Sequence, residues 1–226
     1  MKNAQGREEE AMRLYDSFGM NPRIVRFFMA EKAIEIERVP VDIVSGECRQ
    51  EPYLSRNPTG QTPLLELDNG LQIGESMAIC EYLEELFPGA PLIGMSAKER
   101  AVTRMWWRRV ELNICLPMLH GFYYAEALEV YRHRIHCIPE AAEGLKEKGR
   151  QAMAWLDPLI EGRQWLAGER FTAADICLYC YLDLLGGAGQ PIAEGCTNLE
   201  AWFARVASRP AAEASLWPER VLGLRG

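Results

Sequence analysis

Apolar positions along this chain follow two different rhythms. Up to about residue 87 they come in short runs broken by turn residues; beyond Ser96 they recur at helical spacing. Arg13-Leu14-Tyr15 reads as a short first strand, and residues 17–21 as a loop. Asn21 before Pro22 matches an N-cap followed by proline at the first helical position. The helix this predicts runs from Pro22 to about Ala33. Ile24, Val25, Phe27, Phe28 and Met29 cover so much of its surface that it must be well buried. Glu35 to Asp42, with Ile36, Val39 and Val41 apolar, predicts a second strand, completing a βαβ unit with a right-handed crossover. Residues 45–54 form a looser, partly helical connection. Leu64 to Leu67 and Leu71 to Ile73 flank Asp68-Asn69-Gly70, a strong hairpin signal. A helix over 76–87 buries Ile79, Cys80, Leu83, Leu86 and Phe87, and Pro88-Gly89 ends it. The order βαβ, ββ, α describes an α/β thioredoxin-like domain over residues 12–87, with 88–95 as linker.

Residues 96–226 read as an all-α helical bundle. One long helix carries Met105, Trp106, Val110 and Ile114, with a kink expected at Pro117. A second spans about Pro139 to Glu161. A third opens at Thr172, where Thr172 and Asp175 form a capping box and Phe171 and Ile176 a hydrophobic staple. Loss of either box residue is expected to cost about 1 kcal/mol. A last helix runs from Leu199 to Ser208, before Pro210.

With 48% apolar and 25% charged residues the composition is that of an ordinary globular protein. The net charge of −7 lies wholly in residues 1–87, which hold 9 basic and 16 acidic side chains. No basic stripe suggests nucleic acid, and no apolar run is long enough to span a membrane. Residues 1–11, polar and acidic without an apolar signal core, are expected to form a disordered tail. Seven cysteines, an odd number set largely in helical apolar patterns, suggest reduced thiols and a cytoplasmic location. Cys177 and Cys180 have redox CxxC spacing, but mid-helix in an apolar run they read as buried thiols. His133, His136 and Cys137 lack further partners at ligand spacing, so no metal is expected.

The densest chemical signal is Asn57-Pro58-Thr59-Gly60-Gln61-Thr62-Pro63-Leu64-Leu65-Glu66-Leu67, followed by Glu75-Ser76. Proline at a strand's first residue suggests a cis Thr62–Pro63 bond, which turns the Thr62 main chain outward to pair with another peptide. Glu75-Ser76 opens a helix whose N–H groups and hydroxyl can hold a carboxylate. Together these suggest a site for a small extended peptide. With Gly74-Glu75-Ser76-Met77-Ala78-Ile79 and Phe171-Thr172-Ala173-Ala174-Asp175-Ile176, the chain resembles the glutathione transferases over roughly residues 12–210. The resemblance implies a glutathione site in the first domain and a variable second-substrate site against the helices. It places the cysteinyl main chain of glutathione on Thr62, next to Pro63, the γ-glutamyl ammonium on Glu75 and its carboxylate on Ser76. Gln61 falls where the glycine carboxylate is held. Cys48 replaces a His found in some branches, and Arg49 or Gln50 is the candidate to compensate.

Glutathione must ionise before it can attack an electrophile. Lowering its thiol pKa by two units takes about 2.7 kcal/mol of differential stabilisation. Many family members supply this through a Tyr, Ser or Cys. The loop Asp16-Ser17-Phe18-Gly19-Met20-Asn21-Pro22-Arg23 has no Cys. Asn21 is favoured as an amide donor at a helix start, with N-capping as its ordinary role; Ser17 lies slightly early, and Tyr15 also fits a strand. Tyr123, Tyr124 and His120 are further candidates, Tyr123 or Tyr124 as a hydrogen-bond donor to sulfur, directly or through water, and His120 as a base. Phe18, Met20, Trp107, His120 and Tyr123 are the expected second-substrate wall.

The leading reading is a homodimeric transferase that conjugates glutathione, its co-substrate, to a hydrophobic electrophile, as in detoxification. The alternatives are a glutathione-dependent peroxidase or disulfide reductase, a dehalogenase or isomerase using the same thiolate, and a non-catalytic protein-binding module.

Overall fold

Arg13–Asp16 forms β1, whose Leu14, Tyr15 and Asp16 are all buried. Helix α1, Met20–Lys32, leads to β2, Glu37–Pro40, which pairs parallel to β1. The computed structural model describes residues 11–219 together with Val221, Gly223, Leu224 and Gly226; the tail expected over 1–11 therefore lies, but for Ala11, outside the described residues. After a 3-10 turn, Glu47–Arg49, and a one-turn α2, Tyr53–Arg56, the hairpin of β3, Leu64–Glu66, and β4, Gln72–Gly74, completes the sheet. Its order is β2-β1-β3-β4, with β3 antiparallel to both neighbours. The hairpin is closed as its sequence implies: Asn69 Oδ1 accepts from the Leu71 N–H at 2.9 Å. Helix α3, Ser76–Leu86, buries Ile79, Cys80 and Leu83, while Leu86 and Phe87 are only half-buried at the domain's edge.

The stretch between α3 and the next helix has no regular structure but is firmly attached. The Glu84 carboxylate accepts from the N–H groups of Leu92, Ile93 and Gly94 and pairs with Lys32 Nζ at 2.9 Å. Gly94 is required there: its φ is +132°, and a Cβ would lie 2.6 Å from the Glu99 Cβ.

The helical domain comprises α4, Ala97–Val110; α5, Leu116–Tyr124; α6, Leu128–Tyr131; α7, Ala142–Leu156; α8, Ala173–Gly187; α9, Thr197–Ala207; and α10, Pro210–Ala214. Helices α6 and α10 are single turns without an apolar period of their own, and the sequence pattern does not show them. The break expected at Pro117 is a π-turn over Glu111–Cys115 joining α4 to α5. Pro117 has no N–H to offer the preceding turn, and the wider register accommodates that loss. Helix α8 runs through the centre, with Ala173 to Leu182 all buried.

The capping box on α8 is formed, but its two members are not equivalent. Asp175 Oδ2 accepts from the N–H and the hydroxyl of Thr172, both at 2.9 Å. Its Oδ1 accepts from the Leu166 N–H at 2.8 Å and Trp202 Nε1 at 2.9 Å. Thr172→Ala should cost about 1 kcal/mol, the value of a cap. Asp175→Ala should cost about 3 kcal/mol or more, because it strands several buried donors. Urea unfolding of the two variants checks this; equal losses would show that the loop and Trp202 bonds contribute nothing.

Candidate functional site

Between the two domains lies a cavity of about 700 Å³. The thioredoxin-like side contributes Phe18 to Pro22, Cys48 and Arg49, Gly60 to Thr62, and Glu75 to Ala78. The helical side contributes Trp107, Leu116, Leu119, His120, Phe122 and Tyr123 from α4 and its continuation, Tyr131 and Arg134 near α6, and Tyr181 and Leu184 from α8.

Asn21 is not the N-cap of α1. Gly19 takes that place with φ +131°, a conformation other residues rarely adopt, and the helix starts at Met20. Asn21 therefore sits in the first turn, with its side chain released from capping. Its Oδ1 accepts from the Tyr181 hydroxyl at 2.9 Å, and its main-chain carbonyl accepts from Ser76 Oγ at 3.0 Å. Asn21 lines the cavity, and its amide nitrogen has no hydrogen-bond partner among the described residues; the open N–H groups of the helix start lie beside it.

Ser17, the second thiol-activating candidate, does not reach the cavity. Strand β1 continues through Asp16, so Ser17 turns inward, is 0% exposed, and pairs its hydroxyl with Thr62 Oγ1 at 2.5 Å. Tyr124 likewise lies off the cavity, stacked parallel on the His120 ring at 5.7 Å. Tyr123 does line it, stacked on Tyr131 at 3.7 Å between centroids, and burial pushes its phenol well up, so it stays protonated. Phe18, Met20, Trp107 and His120 are all on the wall.

On the peptide-binding side the Thr62–Pro63 bond is cis, with Pro63 buried beneath the surface. Neither main-chain group of Thr62 has a backbone partner among the described residues. The Gln61 carbonyl is anchored by Tyr53 Oη at 2.6 Å and Asn57 Nδ2 at 2.8 Å, leaving its side chain exposed at the cavity. Glu75 stands at the start of α3 with φ +64°, a strained conformation for a residue with a side chain. It is exposed on the cavity rim, beside the buried Ser76. Gln50 does not line the cavity; the 3-10 turn over Glu47–Arg49 presents Cys48 and Arg49 there instead. Burial pushes the Cys48 thiol up, so it is neutral.

Several cavity residues from the helical domain escaped the sequence reading, Tyr181 and Arg134 among them. Tyr181 lies in a continuous apolar helix run, and Arg134 in a loop with no motif. Arg134 reaches back to donate to the Val44 carbonyl at 2.7 Å, while Arg49 donates to that of Thr59 at 3.0 Å. Elsewhere Cys177 and Cys180 are buried free thiols, and burial pushes Cys180 up to about 12, so the CxxC spacing is packing and not a redox pair. Among the described residues no group of three or more His, Cys, Asp and Glu is placed to hold a metal, and no helix is long and apolar enough to cross a membrane.

Known proteins resemble this chain in sequence and fold. The family model "Glutathione S-transferase, N-terminal domain" matches residues 10–85, and "Glutathione S-transferase, C-terminal domain" matches residues 124–210. Glutathione S-transferase 2 of Saccharomyces cerevisiae is 29% identical over 222 residues, spanning 95% of this chain and 93% of the relative. Maleylacetoacetate isomerase of Pseudomonas aeruginosa is 31% identical over 156 residues, 68% of this chain and 71% of the relative. The structure of a glutathione S-transferase domain-containing protein from Marinobacter aquaeolei VT8 has TM-score 0.83 at 37% identity, covering 88% of this chain and 98% of that one. The chain belongs to the glutathione transferase superfamily, with a thioredoxin-like first domain and a helical second one.

Partial burial lowers the His120 pKa from 6.5, so the ring is neutral at pH 7. Its folded pKa being depressed, the stability linked to it is full above 6.5 and is lost as pH falls below that value. An NMR titration of the His120 ring should give a midpoint below 6.5; a midpoint above it would mean that the ring gains a partner for its charged form.

Proposed function

We propose that this chain is a glutathione transferase that ionises bound glutathione and joins it to a hydrophobic electrophile. The observation that carries this is the Asn21 side chain, free of its own helix and held at the helix start on the cavity wall. Glutathione would lie along Thr62 with its main chain paired to the free N–H and C=O. Its γ-glutamyl end would meet Glu75, Ser76 and the start of α3, and its glycine end would lie towards Gln61 and Arg49. That pose carries the sulfur to the N-terminus of α1.

There a hydrogen bond donated by the Asn21 amide to a charged sulfur would contribute about 1.5–3 kcal/mol. The helix terminus adds about 0.3–1 kcal/mol, rising to about 2 kcal/mol when partly buried. Together these match the roughly 2.7 kcal/mol needed to lower the thiol pKa by two units. The thiol proton leaves to solvent; the sulfur lone pair then forms the new S–C bond as the leaving group departs with the old bonding pair. Phe18, Met20, Trp107, Leu119 and Phe122 give the electrophile an apolar wall. We place the protein in the cytoplasm as a homodimer with a detoxifying role, with the exposed Met105 and Leu112 beside the partner.

A second reading is glutathione-dependent isomerisation of an acidic substrate. It is favoured by Arg49 and Arg134, which line the cavity and, among the described residues, donate only to backbone carbonyls.

The saturated glutathione complex should show thiolate absorbance about two pH units below free glutathione, and the protein should turn over an activated aryl chloride. Binding without thiolate absorbance or turnover would leave a binding module. Ser76→Ala should weaken glutathione binding by about 1–3 kcal/mol, measured calorimetrically; an unchanged affinity would remove Ser76 from the site.

A further inference from the structure

An asparagine amide is a two-faced group. Its oxygen and nitrogen have nearly the same shape, yet a sulfur anion is attracted to one and repelled by the other. At the start of α1 a side chain free to turn over would spend part of its time presenting Oδ1 to the sulfur. Something must fix the amide, and its own helix does not, because Gly19 occupies the cap.

The partner comes from the other domain. Tyr181, on α8, is 2% exposed, and its hydroxyl lies 2.9 Å from Asn21 Oδ1. The titratable groups that surround it are Cys115, Cys177, Tyr123 and Glu111, and burial keeps the phenol protonated. Of these neighbours and Asn21, only Asn21 Oδ1 lies within hydrogen-bond reach of the hydroxyl among the described residues, so the one phenolic proton goes there. That bond turns Nδ2 away from α8. In the free protein the Ser76 hydroxyl also donates to the Asn21 carbonyl.

We infer that Tyr181 is a positioning residue for thiol activation, orienting the Asn21 amide so that Nδ2 donates to the glutathione sulfur. The inference rests on the proposed role of Asn21. It makes activation depend on a residue of the helical domain that does not itself contact the sulfur.

Tyr181→Phe keeps the ring and removes only the hydroxyl, so the test compares it with Asn21→Ala and with the double variant. The pKa of bound glutathione is read from thiolate absorbance against pH. Affinity for S-methylglutathione, which has no thiol to ionise, reports on the fold and on the rest of the site. Tyr181→Phe should raise the bound thiol pKa, lower kcat/KM by about three- to tenfold, as expected for one hydrogen bond, and leave S-methylglutathione binding unchanged. The double variant should match Asn21→Ala alone. An unchanged thiol pKa in Tyr181→Phe, with a raised one in Asn21→Ala, overturns the role of Tyr181 and leaves that of Asn21. Additive shifts in the double variant also overturn it, because Tyr181 would then act by another route. An unchanged pKa in Asn21→Ala defeats the reading of Asn21 itself, and the inference with it. Loss of S-methylglutathione binding in Tyr181→Phe overturns the inference in favour of a packing role.

Discussion

Two arginines on α1, Arg23 and Arg26, hold the molecule in the shape its cavity requires. Both are almost fully buried, which for a guanidinium is costly unless every donor is matched. Arg26 pairs with the buried Asp16 at 2.7 Å and donates to the carbonyls of Ser17, Ser215 and Gly226. Arg23 pairs with Asp183 on α8 at 2.5 Å and donates to Ser215 Oγ and the Ala212 carbonyl. One face of a single helix thus ties β1, α8 and the C-terminal segment together. The worth of such a set is less in net stability than in the narrow range of geometries that satisfies it. A displacement of α1 that broke these bonds would leave charged donors unpaired in the interior.

The cavity inherits that definition. Helix α1 presents Asn21 at its first turn, and α8 presents Tyr181 opposite; the Arg23–Asp183 pair fixes the same two helices against each other. Around the rim, main-chain conformation is set just as firmly. Ser17 locks its hydroxyl on Thr62, and Gln61 is held by Tyr53 and Asn57. Glu75 keeps a positive φ at the start of α3. A peptide ligand would meet donors and acceptors already in place, which reduces the ordering cost of binding.

What could be read from the sequence were features whose cause is local. The Asn-Gly turn, the proline before β3, the Thr172–Asp175 box and the burial of α1 are each written within a few residues, and the structure has all of them. What escaped was decided at a distance. Asn21 before Pro22 is a sound capping signal, but Gly19 competes for the same role and wins because the chain entering from β1 needs its positive φ. Ser17 and Thr62 lie 45 residues apart, and nothing near either announces their bond. Gln50 and Arg49 are neighbours whose directions depend on a 3-10 turn that no periodicity predicts. Tyr181 reads as core in a helix of core residues; only the approach of α1 gives its hydroxyl a partner.

The displaced cap also changes what kind of donor the site offers. A serine or tyrosine hydroxyl carries one proton on a rotor and can follow the sulfur by itself. An amide has stronger fixed polarity but must be held the right way round, and the holder here belongs to a different domain. On the proposed reading, the acidity of the bound thiol therefore reports on domain docking: any opening of the α1–α8 contact would loosen Tyr181 from Asn21 before it disturbed Thr62 or Glu75. Peptide binding, confined to the first domain, would persist in such a state, while thiol ionisation would fail. The separation follows from the chemistry of a two-faced donor, and on that reading the buried Arg23–Asp183 pair, which fixes α1 to α8, would matter to the reaction without touching its substrates.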